Sequence, residues 1–151
     1  MMKNLLIFFA FIFLLMACNN SGSNKENTKS RADSLMDEVM AGHDAGMAKM
    51  NKVSEAQKKV QQTIDSISKL SENIKKSLAP YKANLDSILD RLKYAGYAMN
   101  KWMDEFDMDS AKENLEKRIE YLESEKSKIS KVKDAMMNSL QKADSILRRK
   151  L

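Results

Sequence analysis

The chain has 151 residues, of which 43% are apolar and 31% charged, and it contains only four glycines and one proline. This balance favours one helical domain and argues against a β-sheet domain or a disordered chain. The formal net charge of +5 is small and both signs are interspersed along the sequence, so a nucleic-acid-binding surface is not expected.

Residues 1–17 predict a secretory signal peptide. Lys3 precedes an apolar run from Leu5 to Met16, which is shorter than the roughly 20 residues that a membrane-spanning helix needs. The run ends at Leu15-Met16-Ala17-Cys18, which resembles the lipobox of bacterial lipoproteins. Because Cys18 is the only cysteine, it has no partner for an internal disulfide. We predict that Cys18 is lipidated and becomes the first residue of the mature chain.

The predicted lipid anchor places the protein in the bacterial cell envelope. Several acyl chains on one cysteine bury enough CH₂ groups to hold a protein in a membrane. Asn19 follows the cysteine, where an aspartate would retain an enteric lipoprotein at the inner membrane, so we expect the outer membrane. Residues 18–29 are rich in Asn, Ser, Gly and Lys, and they predict a flexible tether after the lipidated cysteine.

The remaining residues, 30–151, predict a bundle of three helices. Apolar residues recur at helical spacing over about 30–71, 77–106 and 110–150. Pro80 suits the first turn of the second helix, and the Ser110-Ala-Lys-Glu113 sequence has the capping-box pattern that opens a helix. Short turns make neighbouring helices antiparallel, so we predict an all-α fold, an elongated antiparallel three-helix bundle. The alternative is one continuous coiled coil through Pro80.

The same spacing predicts which residues face the interior of the bundle. In the first helix, four thioethers and the only histidine recur at spacings of 4, 3, 4 and 3 and therefore share one face. The predicted inward residues are Met36, Met40, His43, Met47, Met50, Val53, Val60, Ile64, Ile67 and Leu70; Leu78, Tyr81, Leu85, Ile88, Leu92, Ala95, Met99, Trp102 and Phe106; and Leu115, Ile119, Leu122, Ile129, Val132, Met136, Leu140, Ala143 and Leu147. Gly42 and Gly46 flank His43, and either the close approach of a neighbouring helix or a local distortion that frees the imidazole would explain them.

A candidate metal site follows from folding the first two helices back on each other. A turn near residue 73 pairs positions whose numbers sum to about 146, so His43 comes level with Trp102 and Met103. Thioethers and imidazole are soft ligands suited to Cu(I) or Ag(I), and a tryptophan face adds cation–π attraction. The candidate ligands are Met40, His43, Met47, Met99, Trp102 and Met103.

A chemical similarity supports this metal hypothesis, and ordinary core packing is the alternative to it. Small periplasmic copper and silver chaperones use one His, two Met and one Trp, but they are β-barrels, so the similarity is one of chemistry alone. The alternative is that the methionines are ordinary core residues, because methionine packs readily at the inward positions of helices.

The sequence predicts no enzyme active site and no small-molecule substrate. One histidine, one cysteine and no glycine-rich phosphate loop leave no nucleophile and base that spacing can pair. The acidic cluster at 104–109 lacks the ligand order and the glycine of an EF-hand, and it is typical of a solvated helix end.

Two segments resemble a known family. They are the Met-x-x-x-Met-x-x-His-Asp-x-x-Met-x-x-Met sequence at 36–50 and the Met-Asn-Lys-Trp-Met-Asp-Glu-Phe sequence at 99–106. They resemble small, functionally uncharacterised lipoproteins of Bacteroidota that are often labelled as viral A-type inclusion proteins. The resemblance implies a helical cell-envelope lipoprotein and supplies no activity.

The sequence therefore predicts a non-enzymatic, lipid-anchored helical bundle with a soft-metal face. The alternative function is a structural or protein-interaction module that presents helical faces to envelope proteins. A periplasmic holdase is a further alternative, which would need an exposed apolar groove.

Overall fold

The structure is a computed structural model that describes residues 21–148, with side chains from residue 31 onward. It contains three helices in the order α1 (Ser21–Ser68), α2 (Glu72–Glu105) and α3 (Leu115–Leu147), and each helix packs against the other two. The predicted all-α three-helix bundle is therefore confirmed, and the alternative of one continuous coiled coil is wrong. The predicted signal peptide and Cys18 lie outside the described residues.

The first two helices begin earlier than the sequence predicts. α1 begins at Ser21, so residues 21–29, predicted as tether, are helical. Once a helix is nucleated, each further residue adds one backbone hydrogen bond, and no proline stops α1 from extending toward its N-terminus. α2 begins at Glu72, directly after the chain reversal, so Pro80 lies in its ninth position and not in its first turn.

The predicted capping box at 110–113 does not open the third helix. Residues 106–114 form a connection in which Ala111 has a φ of 57°, and this left-handed conformation prevents a continuous helix. Asn114 caps α3 instead, because its side-chain Oδ1 accepts a hydrogen bond from the Lys117 N–H at 3.0 Å.

The interior of α2 and α3 follows a heptad pattern. The predicted inward face of α2 is confirmed, with Leu89 as an additional buried residue. In α3 the buried positions recur at spacings of 3, 4 and 7, and Glu125 and Ser139 are buried with the apolar residues. The predicted inward residues Leu140 and Leu147 are only partly buried, and their neighbours Ser139 and Ile146 are buried instead. The described core comprises Ala32, Leu35, Val39, Val53, Val60, Ile64, Ile67, Leu85, Ile88, Leu89, Leu92, Ala95, Met99, Trp102, Leu122, Ile129, Met136, Ala143 and Ile146.

The predicted inward face of α1 is wrong by one residue between positions 35 and 50. A row that we call the glycine row faces the core, and it consists of Leu35, Val39, Gly42 and Gly46. The methionine row lies beside it at the edge of the core and consists of Met36, Met40, His43, Met47 and Met50, all partly or well exposed. One residue corresponds to a rotation of about 100° around a helix, which separates the two rows.

The two glycines explain this rotation. A Cβ added at Gly42 would lie 3.0 Å from Ile129 Cγ2 of α3, and one at Gly46 would lie 2.1 Å from Met99 Cε of α2. Side chains of both partner helices therefore rest on the backbone of α1, and a side chain at position 42 or 46 would force Ile129 or Met99 to shift. Of the two explanations for the glycines, close approach of the neighbouring helices is the correct one.

Candidate soft-metal site

His43 makes two side-chain contacts, one through each ring nitrogen. Its Nδ1 lies 2.9 Å from Oδ1 of Asp44, and its Nε2 lies 3.4 Å from Sδ of Met103 on α2. An ionised carboxylate only accepts hydrogen bonds, so Nδ1 carries the proton and donates it. In the neutral imidazole, Nε2 then directs its lone pair toward the thioether. A carboxylate on the far nitrogen is the usual arrangement of a metal-binding histidine.

The separation of Nε2 and Sδ fits two ligands of one ion. With metal–nitrogen and metal–sulfur bonds of about 2.0 and 2.3 Å, the lengths found at zinc, an angle of about 105° places the ligand atoms about 3.4 Å apart. The observed 3.4 Å matches this separation and also the length of an ordinary hydrogen bond between nitrogen and sulfur. The contact also joins α1 to α2 and involves residues whose numbers sum to 146, as the fold-back predicted.

Trp102 lies beside this pair and is held by a buried acid. The imidazole and indole centroids are 5.7 Å apart, with ring planes tilted by 35°. Trp102 is 5% exposed, and its Nε1–H donates to Oε2 of Glu125 at 2.9 Å. Lys128 donates to the other oxygen of Glu125 at 2.7 Å, and this hydrogen bond raises the pKa of Lys128.

An aromatic stack continues from Trp102 to the end of the bundle. Trp102 stacks on Phe106 with a centroid distance of 4.7 Å, and Phe106 stacks on Tyr121 of α3 at 6.1 Å. The Tyr121 hydroxyl accepts a hydrogen bond from the Asp107 backbone N–H at 2.7 Å. Burial raises the pKa of Tyr121. The stack ties the end of α2 to α3, so the indole is fixed from both ends.

The other predicted ligands lie in different surroundings. Met99 is fully buried, and its methyl group packs on Gly46, so the structure uses it as core. Met47 is 38% exposed and Met40 is half-buried. They lie one helical turn on either side of His43, at Cβ distances of about 5–6 Å. The structure thus brings His43, Trp102 and Met103 together, and it places Met40 and Met47 on the adjacent turns of the methionine row without a contact to these three residues.

Sequence reasoning missed the acids of the site. Asp44 directly follows His43, and Glu125 lies 23 residues after Trp102 in another helix. A signal for Glu125 was available, because it is an acidic residue at an inward position of an otherwise apolar heptad. No feature of the sequence marks Asp44, because its position on the helix is that of an ordinary exposed charged residue.

Residues 21–148 contain no other cluster of acidic side chains that is arranged to bind a metal ion. No group of three or more His, Cys, Asp or Glu side chains that could hold a metal ion occurs in this part of the chain. Two carboxylates of the acidic cluster near 104–109 already have partners within the turn. Asp107 accepts a hydrogen bond from the Asp109 N–H at 2.8 Å, and Asp109 pairs with Lys112. The hydrogen bond from Lys112 lowers the pKa of Asp109.

None of the described helices is both long and apolar enough to span a membrane. Comparison with known proteins finds no matching protein-family model, no matching curated protein and no matching solved structure.

Proposed function

We propose that this protein is a non-enzymatic, lipid-anchored protein of the bacterial envelope that binds Cu(I) or Ag(I). The observation that carries the proposal is the His43–Met103 contact, with Asp44 on the opposite side of the imidazole. A soft nitrogen and a soft sulfur then face each other across a distance that one ion can bridge.

The soft-metal site consists of His43 and Met103 as ligands, Met40 and Met47 as further thioethers on the adjacent turns, and the face of Trp102. Its position at the edge of the core leaves room for an incoming ion, although Met108 and Met137 outside the site are exposed as well. A methionine that only fills the core is expected to be buried, as Met99 and Met136 are. Met47 is 38% exposed, so its thioether is accessible to an incoming ion.

A competition titration tests the proposal. Purified protein is titrated anaerobically against a chromogenic Cu(I) chelator while the emission of Trp102, the only tryptophan, is recorded. We expect withdrawal of one equivalent of copper with quenching of Trp102. Met103→Leu and His43→Ala should each weaken binding by more than about tenfold, since even partners outside the ligand shell typically contribute that much.

The matched control is Met137→Leu. Met137 is 48% exposed on α3, so this variant removes a surface thioether outside the site. The change in side-chain size and in helix propensity is the same as in Met103→Leu. It should bind copper as the wild type does. Absence of copper withdrawal by the folded wild type, or equal losses in Met103→Leu and Met137→Leu, would overturn the proposal.

The lipid anchor is a separate part of the proposal and rests on the sequence around Cys18. Growth with a clickable fatty-acid analogue should label the wild type and leave Cys18→Ser unlabelled, and Cys18→Ser should leave the membrane fraction. If Cys18→Ser still incorporates label and stays with the membranes, the anchor proposal fails while the metal site stands.

A protein-interaction module is the second candidate function. Tyr94 and Tyr97 are each 61% exposed and lie three residues apart on α2, and tyrosine is enriched at protein interfaces. The periplasmic-holdase alternative has less support, because the exposed large apolar side chains are spread over all three helices and the 106–114 connection. Replacing both tyrosines with serine should abolish association with an envelope partner if this candidate is correct, whereas Met103→Leu should not affect it.

A further inference from the structure

Glu125 is the one acid of residues 31–148 that is buried, with 3% of its surface exposed. A buried carboxylate is costly unless its oxygens are paired. Oε1 accepts from Lys128 at 2.7 Å, and Oε2 accepts from the Trp102 indole at 2.9 Å. Lys128 extends from the surface, whereas Trp102 lies inside, so the carboxylate connects the exposed cation to the buried ring.

We propose that Glu125 is a positioning residue that fixes Trp102 against the soft-metal site and makes its ring a better partner for a monovalent cation. This inference rests on the proposed function and specifies how that site selects its ion. It assigns to Trp102 a direct role in binding and to Glu125 an indirect one through the indole N–H.

The chemistry of the hydrogen bond supports this role. An indole N–H that donates to an anion shifts electron density into the ring, and the hydrogen bond is stronger in a buried environment. A more negative ring face attracts a cation more strongly. The ring also cannot rotate away, because Phe106 stacks on it at 4.7 Å and Glu125 holds its nitrogen. The imidazole of His43, which would bind the ion, has its centroid 5.7 Å from that of the same ring.

The test is a double-mutant cycle in which Ag(I) binding is measured by isothermal calorimetry, because Trp102 is the only tryptophan and its emission is lost in the Trp102→Phe background. Glu125→Gln keeps an oxygen for the indole N–H and removes the charge. We expect it to weaken Ag(I) binding by about two- to fivefold, the lower part of the range from about twofold to about thirtyfold that cation–π contributions span. In a Trp102→Phe background the same change should have no further effect, because the group through which Glu125 acts is gone.

Glu123→Gln is the matched control. Glu123 is on the same helix and pairs with Arg31 at the surface, so this variant removes one charge without touching Trp102. It should leave Ag(I) affinity unchanged. An effect of Glu125→Gln that persists in the Trp102→Phe background would mean that the acid acts as a general charge, and the inference would be wrong.

The wild type provides a test that does not depend on the folding of a variant. Its single tryptophan gives one indole N–H resonance, which we expect to be protected from solvent exchange and to shift when Ag(I) is added. An unchanged resonance at saturating Ag(I) contradicts the inference alone. Absence of Ag(I) binding by the wild type removes the proposed function, and the inference with it.

Discussion

At the scale of single residues, Gly46 determines how closely α2 approaches α1. The methyl group of Met99 occupies the space that a side chain at position 46 would need, and Met136 lies on the other side of that space. This contact buries Met99 completely and turns the methionine row toward the edge of the core. The soft-metal site thus depends on a residue that is not part of it.

Gly46→Ala should lower stability by about 1 kcal/mol. Overpacking a filled core costs about 1–3 kcal/mol and replacing glycine in a helix gains about 1 kcal/mol, so the net change lies between about zero and a loss of about 2 kcal/mol. Gly96→Ala is the control, because the nearest atom to its added Cβ would be 3.9 Å away, and it should raise stability by about 1 kcal/mol. Urea unfolding measures both changes, and a stabilised Gly46→Ala would contradict the packing described for Met99.

The titrating side chains near Glu125 predict a loss of stability at alkaline pH. The hydrogen bond to Glu125 raises the pKa of Lys128 above 10.5, and burial raises the pKa of Tyr121 above 10.0. The folded chain therefore binds these protons more tightly than the unfolded chain, so stability falls as pH rises. The contribution is complete below these ordinary values and is lost as pH passes through the raised ones.

Melting temperatures measured from pH 8 to pH 12 test this expectation. Tyr121→Phe should make the alkaline decline shallower, because it removes one of the two groups. Tyr94→Phe removes a phenol that is 61% exposed and should leave the decline as it is in the wild type. A melting temperature that rises with pH in this window would contradict the assignment.

At the scale of helices, Pro80 shows a mismatch between local preference and tertiary packing. Proline in the interior of a helix removes one hydrogen bond and clashes with the preceding turn. The helix nevertheless continues through it, because the packed residues that begin at Leu85 hold the rest of α2 in place. The turns before Pro80 have mostly exposed side chains and are the least stabilised part of α2.

Pro80→Ala should therefore stabilise the protein. The side chain is exposed, so no packing is lost, and the new N–H can bond to the carbonyl one turn earlier. The propensity difference of about 3 kcal/mol sets the upper limit, and we expect a gain of about 1–2 kcal/mol. Thermal unfolding and amide exchange of residues 72–80 would measure this gain, and lower stability of Pro80→Ala would contradict the prediction.

The comparison of α1 and α2 shows what sequence pattern can and cannot predict. The inward face of α2 follows from its unbroken heptad, since each inward position holds an apolar residue. In α1 the pattern pointed to the methionine row, because glycine carries no apolar signal although it marks the closest helix contact. The capping box at 110–113 failed for a similar reason, since the left-handed Ala111 depends on how the 106–114 connection packs.

At the scale of the whole molecule, the site joins two helices that are distant in sequence. The proximity of His43 and Met103 could be predicted, because two continuous antiparallel helices joined by a short turn determine which residues lie side by side. The sequence marks Glu125 as an acid at an inward position, but its hydrogen bond to Trp102 could not be predicted, because that contact depends on how α3 packs beside α2. The described residues thus form a bundle in which a metal ion would link α1 to α2 while α3 holds the indole.

Such a link should make thermal stability depend on the ion. A ligand that binds only the folded state at a free concentration of 100 times its Kd stabilises it by about 2.7 kcal/mol. For a domain of this size we expect a rise in Tm of about 10 °C with Ag(I). Met103→Leu should lose most of this rise, and Met137→Leu should retain it. Equal rises in both variants would place the ion elsewhere.

The most direct measurement is X-ray absorption at the copper edge of the Cu(I)-loaded protein. We predict one nitrogen ligand at about 2.0 Å and at least one sulfur ligand at about 2.3 Å, with the sulfur contribution reduced in Met103→Leu. A spectrum with oxygen and nitrogen ligands only, or one that is unchanged in Met103→Leu, would show that the His43–Met103 contact is packing and not a metal site.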